Sequence, residues 1–295
     1  MKKLWGLFLL MLFIRPVSAE MLKSVADGAI TVEKATTAEI EELFRQKKYD
    51  DYTAARSKFP RIYMKTLPTD WNEVAENDAK HRTFIRILLP LVLRINEEIL
   101  QERSEIEKLV VKFVKTKNLT ADEIKYIDNK AQKYDVFTRA EDDAKIEILL
   151  RELLKRIDAV PPSIMISTAA IYTDWGKSRL ALKANSLYQE EVWYTEDGLK
   201  PLDDENAQYR YKIYNDLSEC IRARALKLNS HINYDYFRES RYISRNMERP
   251  PYGEQLAAKM MNDSNFQNIS GLIDYTFTFY KLNRTDYFPE LYDVE

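Results

Sequence analysis

The side chains whose types and spacing could do chemistry gather between residues 161 and 213. A segment at 161–188 reads Pro-Pro-Ser-Ile-Met-Ile-Ser-Thr-Ala-Ala-Ile-Tyr-Thr-Asp-Trp-Gly-Lys-Ser-Arg-Leu-Ala-Leu-Lys-Ala-Asn-Ser-Leu-Tyr, and so holds Tyr172, Asp174, Trp175, Ser178, Asn185 and Tyr188. Glu190 and Glu191 follow at once, and Asp203, Asp204 and Glu205 a little later. Carboxyls of this kind serve as general acids or bases when their surroundings bring the pKa near the working pH. A phenol, with an ordinary pKa near ~10, stays protonated at neutral pH and is a much weaker acid. Other chemistries are excluded by scarcity. Two histidines, His81 and His231, and one cysteine, Cys220, leave no ligand cluster of the structural zinc kind. No metal or cofactor is expected, and a lone cysteine forbids an intramolecular disulfide. A formal net charge of −2 offers no basic excess for a phosphate backbone, which argues against nucleic acid as a partner.

Helices must position most of these residues. Charged residues at 31% and only six glycines favour helix over a turn-rich sandwich. From Asp78 onward, Phe84, Ile85, Ile87, Leu88, Leu91, Val92, Ile95, Ile99 and Leu100 recur at helical spacing, with Pro90 expected to kink or divide the helix. The pattern continues through Ile106, Leu109, Val110 and Phe113 and stops near Lys117-Asn118. Thr120 to Glu123 has capping-box spacing and should open a helix. Another should place Ile146, Leu149, Leu150, Leu153, Leu154 and Ile157 on one face, ending at Val160-Pro161-Pro162-Ser163. There proline suits a first turn and serine can cap the next helix.

The helical period is lost between Tyr188 and Ile213. Glu191–Tyr194, Thr195–Leu199 and Tyr209–Ile213 read as short strands around the Asp197-Gly198 turn, a small β lobe set into a helical protein. Helices resume at about 217–230, 253–261 and 269–281. At the other end, Lys2-Lys3, an apolar run to Ile14 and Val17-Ser18-Ala19 have the layout of a signal peptide cleaved after Ala19. The run is short of the ~20 apolar residues that span a bilayer. Export to a periplasm or cell envelope is therefore expected. Residues 20–77 read as a poorly packed extension and 283–295 as a tail.

The 161–188 segment resembles the signature of bacterial glucosaminidases, in which a helix ending Ala-x-Glu-Ser-x-Trp-Gly is followed by Ser, Ala and Asn-Asn-Leu-Phe-Gly. Ala169, Ala170, Trp175-Gly176, Ser178, Ala181, Asn185 and Leu187 fall at that spacing without a gap. The flanks resemble the Bax-like branch of the family. They are a helix with a central proline, Phe84 to Pro90, then Arg156-Ile157-Asp158 before the prolines, and a later segment keeping Leu228-Asn229, His231, Tyr234, Phe237-Arg238 and Ser240-Arg241. The resemblance covers roughly residues 78–282. It implies a lysozyme-like glucosaminidase fold, mainly α with a small β lobe across a glycan groove. It also implies hydrolysis of the bond after N-acetylglucosamine in peptidoglycan.

The family's general-acid glutamate corresponds to Tyr172, its serine to Thr173, and Phe-Gly to Tyr188-Gln189. Lysozyme-like sites use a carboxylic acid raised to a pKa of about 6, and losing such an acid costs about 10²- to 10⁴-fold in rate. Impaired or lost hydrolysis follows. An acid at Asp174, Glu190, Glu191, Asp203, Asp204 or Glu205 would have to replace it for the protein to remain an active hydrolase. Trp175, Ser178, Asn185, Tyr188, Trp193 and Tyr211 are the expected substrate-binding residues, with Tyr194 and Tyr209 as further aromatics of the lobe. Glycan strands of peptidoglycan are the expected partner. A protein-binding scaffold, with its partner at the groove or the N-terminal extension, is the other reading.

Overall fold

Helix α2, Asp78–Thr116, is the axis on which the other elements pack. All residues from Thr83 to Leu93 are buried, because helices α4 (Asp143–Arg156), α5 (Pro162–Thr173) and α7 (Leu217–Ser230) and a strand of an N-terminal sheet lie against it. Pro90 does not divide it, contrary to one reading of the sequence; the helix runs on for 39 residues. Burial on every side around Pro90 offsets the roughly 3 kcal/mol that an internal proline costs. The helix stops at Lys117, which takes a left-handed conformation and donates its N–H to the Phe113 carbonyl.

The computed structural model describes residues 21–53, 58–193, 195–202, 204–249, 253–260, 270–287 and 289–294. The expected leader at 1–19, Tyr194, Asp203 and the outer residues of the expected 253–261 and 269–281 helices lie outside these. Before α2 come strands β1 (Leu22–Ala26) and β2 (Ala29–Lys34), helix α1 (Thr37–Gln46), and strands β3 (Phe59–Pro60) and β4 (Ile62–Met64). After it, α3 (Ala121–Lys133) opens on the expected capping box, with the Thr120 hydroxyl accepting from the Glu123 N–H and the Glu123 carboxylate from the Thr120 N–H. Then follow α4, α5, α6 (Arg179–Ala184), strands β5 (Glu191–Trp193), β6 (Gly198–Leu199) and β7 (Tyr209–Lys212), and α7. The chain closes with α8 (Asp235–Asn246), α9 (Gly253–Ala257), α10 (Ser270–Phe279) and β8 (Leu291–Tyr292).

The poorly packed extension is overturned. Ile30, Val32, Ile40, Leu43, Phe44, Tyr49, Phe59 and Ile62 are each at most 2% exposed and belong to the same apolar cluster as α2 and α5. Strand β2 pairs antiparallel with β1 and parallel with β4, and β3 pairs in parallel with β8, so the two ends of the described chain are stitched together. Short strands whose partners lie far along the chain have no local signal beyond a few alternating apolar residues, which is why this region reads as irregular. The expected β lobe is present, with one difference. Strand β7 is central, flanked by β5 and β6, so the strands on either side of the Asp197-Gly198 turn pair with β7 rather than with each other.

The serine expected to cap α5 does not cap it. Pro161 stands at the cap position without a side-chain bond, and the carboxylate of Asp286 does the work from 123 residues away. It accepts from the Ser163 N–H (3.0 Å), the Ser163 hydroxyl (2.7 Å) and the Gly253 N–H (2.7 Å). Gly253 is needed for this approach, since a Cβ there would lie 1.9 Å from the Ser163 hydroxyl oxygen.

Candidate functional site

Helix α5 carries Tyr172 on its last turn, and the way the helix ends decides where the neighbouring residues point. Asp174, Trp175 and Gly176 are all left-handed, with φ of 48°, 56° and 86°. The Thr173 hydroxyl donates to the Ala169 carbonyl (2.6 Å) and accepts from the Gly176 N–H (2.8 Å), and the Trp175 N–H donates to the Ala170 carbonyl (2.8 Å). Gly176 cannot carry a side chain here. A Cβ would lie 2.7 Å from the indole nitrogen of Trp71, which donates to the Trp175 carbonyl at 2.9 Å.

The turn separates the candidate residues. Trp175 stacks on His81 (centroids 3.9 Å apart) and meets Phe84 and Tyr280 edge-on. Asp174 is exposed and paired with Lys177 at 2.9 Å. Ser178 caps α6, accepting from the Ala181 N–H, and Asn185 closes it in a left-handed conformation while its amide donates to the carbonyls of Tyr214 and Asn215. These roles fix the path of the chain from α5 to the β lobe. None of the four lines the cleft on which Tyr172 lies.

That cleft, of about 400 Å³, is lined by Tyr172, Tyr188, Gln189, Glu191, Arg224, Lys227, His231, Asn233 and Tyr234. Of the residues expected from sequence, Tyr172, Tyr188 and Glu191 are brought together there. Tyr188 is buried as floor, its hydroxyl donating to the Met165 carbonyl (3.2 Å), and burial pushes its pKa well above the usual phenol value. Gln189 reaches back to the Tyr172 carbonyl (2.9 Å), tying the strand-side wall to the helix. Glu190 is not among the lining residues, but it is paired with the ammonium of Lys227, which is, at 2.9 Å. Glu191 shares a face of the lobe with Trp193, Tyr209 and Tyr211, by the pairing of Glu191 with Tyr211 and of Trp193 with Tyr209. Trp193 is 71% exposed on a second, shallower groove shared with Glu191, Val192, Glu196, Gln208 and Tyr209. Tyr211 meets Tyr209 edge-on at 5.5 Å. Asp204 and Glu205 lie on the far loop of the lobe beside Lys200 and Arg210, apart from Tyr172.

Helix α7 supplies what sequence reasoning missed. Arg224 is 5% exposed, with its guanidinium carbon 5.6 Å from the Tyr188 ring centroid and 5.5 Å from that of Tyr234. One nitrogen donates to the Tyr234 hydroxyl (3.3 Å), and the guanidinium lies within electrostatic reach of Tyr172. The available signal was periodicity. Leu217, Cys220, Ile221, Arg224 and Leu228 form the buried stripe of α7, and an arginine on an apolar stripe marks a charge that the fold takes inside. His231 ends α7 and caps the short 3₁₀ turn Ile232–Tyr234, accepting from the Asn233 N–H. Arg238 and Arg241 are buried fasteners. Arg241 donates to the Asn229 side chain (2.7 Å) and to carbonyls at the end of α4, and Arg238 to the Leu228 and His231 carbonyls.

The comparisons agree with this geometry. A family profile described as mannosyl-glycoprotein endo-beta-N-acetylglucosaminidase matches residues 149–270, which hold α5, the β lobe, α7 and α8. The chain is 25% identical over 243 residues to "Protein bax" of Escherichia coli (strain K12), covering 80% of each chain. No solved structure matches the chain. With the signature segment placed at the turn beside a cleft, in a mainly helical fold carrying a small β lobe, residues 149–270 are similar to the glucosaminidase family and the chain as a whole is similar to Protein bax.

Proposed function

We propose that this protein is an exported, glucosaminidase-like domain that binds peptidoglycan glycan strands and whose hydrolysis is lost or strongly impaired. The observation that carries this reading is Tyr172 on the wall of the cleft, at the position that corresponds to the family's general acid. A phenol there cannot deliver a proton to a leaving oxygen as a carboxyl with a pKa near ~6 does. The candidate replacements are poorly placed for the task. Asp174 is paired outside the cleft and Glu190 is held by Lys227, while Glu191 is exposed to solvent at the edge of the cleft. The cleft and the aromatic face around Trp193 together offer polar contacts and stacking surface of the kind that sugar rings use.

The test is solubilisation of purified peptidoglycan by the protein, run beside a co-sedimentation assay. The unaltered protein is expected to pellet with the wall and not to clear it. Tyr172→Glu is expected to gain measurable clearing. Clearing by the unaltered protein would overturn the reading and turn attention to Glu191.

A further inference from the structure

We infer that the Tyr172 cleft is a carboxylate-binding site, with Arg224 as its receptor. The inference rests on the wall-binding reading above and names the chemistry which that cleft selects. A guanidinium has five N–H donors in a planar fork and no acceptor. Arg224 is only 5% exposed, yet its Nε and Nη2 have no hydrogen-bond partner among the described residues. Nor does any described carboxylate form an ion pair with it, whereas Lys227, the other cation of the cleft, is matched by Glu190. Burying a charge is costly unless it is paired and hydrogen-bonded, so an arginine held this way is suited to a partner that arrives with the ligand.

The walls restrict what that partner is. Tyr188 and Tyr234 flank the guanidinium and Tyr172 is near it, so the ligand group must be small, planar and acceptor-rich. A carboxylate matches this fork, because it accepts two parallel N–H bonds, and it reaches the buried Nε and Nη2 once the flanking side chains turn aside. The single negative residue of the lining, Glu191, is exposed at the rim, where solvent screens it. Glu191 also borders the groove carrying Trp193 and Tyr209, so a sugar ring stacked on that face would lie next to the Arg224 site. On peptidoglycan the carboxylate has two sources: the lactyl carboxyl of a muramic acid ring whose stem peptide has been removed, since the stem otherwise ties it up as an amide, or the acidic residues of the peptide stem.

The experiment is an NMR titration of the full protein with N-acetylmuramic acid, its methyl ester, N-acetylglucosamine, and the dipeptide L-Ala-D-Glu with its diamide. One charged fork is expected to favour an acid over its neutral form by about 10-fold or more. Preference for N-acetylmuramic acid over its ester assigns the sugar-borne carboxylate, and preference for the dipeptide over its diamide assigns the stem. In either case Arg224→Gln should abolish the preference. Equal binding of acid and neutral forms by the unaltered protein would overturn the inference, and this arm needs no variant to fold. Pelleting with intact peptidoglycan is scored separately. If pelleting persists while acid and ester bind equally, only the carboxylate site falls; if the acid preference holds but nothing pellets, only the wall-binding reading falls.

Discussion

At the scale of single residues, Tyr172 and the guanidinium of Arg224 are within electrostatic reach of each other. A glutamate introduced at 172 would face the buried guanidinium, and a cation that close lowers a carboxyl pKa by about 1–3 units. Tyr172→Glu should therefore clear peptidoglycan best on the acid side, and adding Arg224→Gln should move the optimum upward, towards the pKa of ~6 of a lysozyme-like acid. A rate–pH profile of the two variants checks this; identical optima would mean that Arg224 does not sense position 172. Arg224 also has a stability signature. Replacing an incompletely paired buried charge with an apolar side chain of similar volume is often stabilising by about 1–4 kcal/mol, so Arg224→Met should unfold at a higher denaturant concentration than the unaltered protein. Equal or lower midpoints would indicate that the guanidinium is satisfied in the folded protein.

Helix α5 depends on two supports that are separate in sequence. At its start, Asp286 is buried, and desolvation lifts its carboxyl to about 7 despite bonds from Ser163 and Gly253 that pull the other way. Its unfolded value is about 3.9, so between these values the folded chain holds more protons than the unfolded one. This group's contribution is full below about 4 and is lost as the pH rises through about 7. Urea midpoints should thus fall from pH 5 to pH 8 by more in the unaltered protein than in Asp286→Asn, which cannot titrate; equal falls would contradict the assignment. At the other end, Gly176→Ala must fit a Cβ against Trp71 at φ 86° and should cost roughly 2 kcal/mol or more, read as a lowered midpoint.

How these elements were legible follows from what each leaves in the sequence. Helix α2, the α3 cap and α7 announce themselves through apolar spacing and local capping chemistry, because their partners lie within a turn or two. The Asp286 cap did not, since it joins residues 123 positions apart. Helix α8 was matched only residue by residue, as its apolar face is sparse and arginines fill its buried positions. In the cleft, Tyr172 and Tyr188 were marked by the resemblance and Glu191 only as one of several acids of the lobe, while Trp175, Ser178 and Asn185 hold the resembling spacing for reasons of chain path.

Over the whole molecule, the N-terminal segment is part of the core and not an appendage. Ile30, Val32 and Phe44 share one cluster with Phe84, Leu88 and Ile164, and β3 holds β8 near the other end of the chain. A version beginning at residue 78 should lose cooperative unfolding and expose apolar surface; a soluble fragment with a sharp two-state transition would show that this packing is dispensable. We propose that this cleft holds the wall without cutting it. This is tested most directly by incubating the unaltered protein with purified peptidoglycan and measuring both the protein that pellets and the reducing ends released. Pelleted protein and no reducing ends above the buffer control are expected; released reducing ends would mean that the cleft cuts the wall.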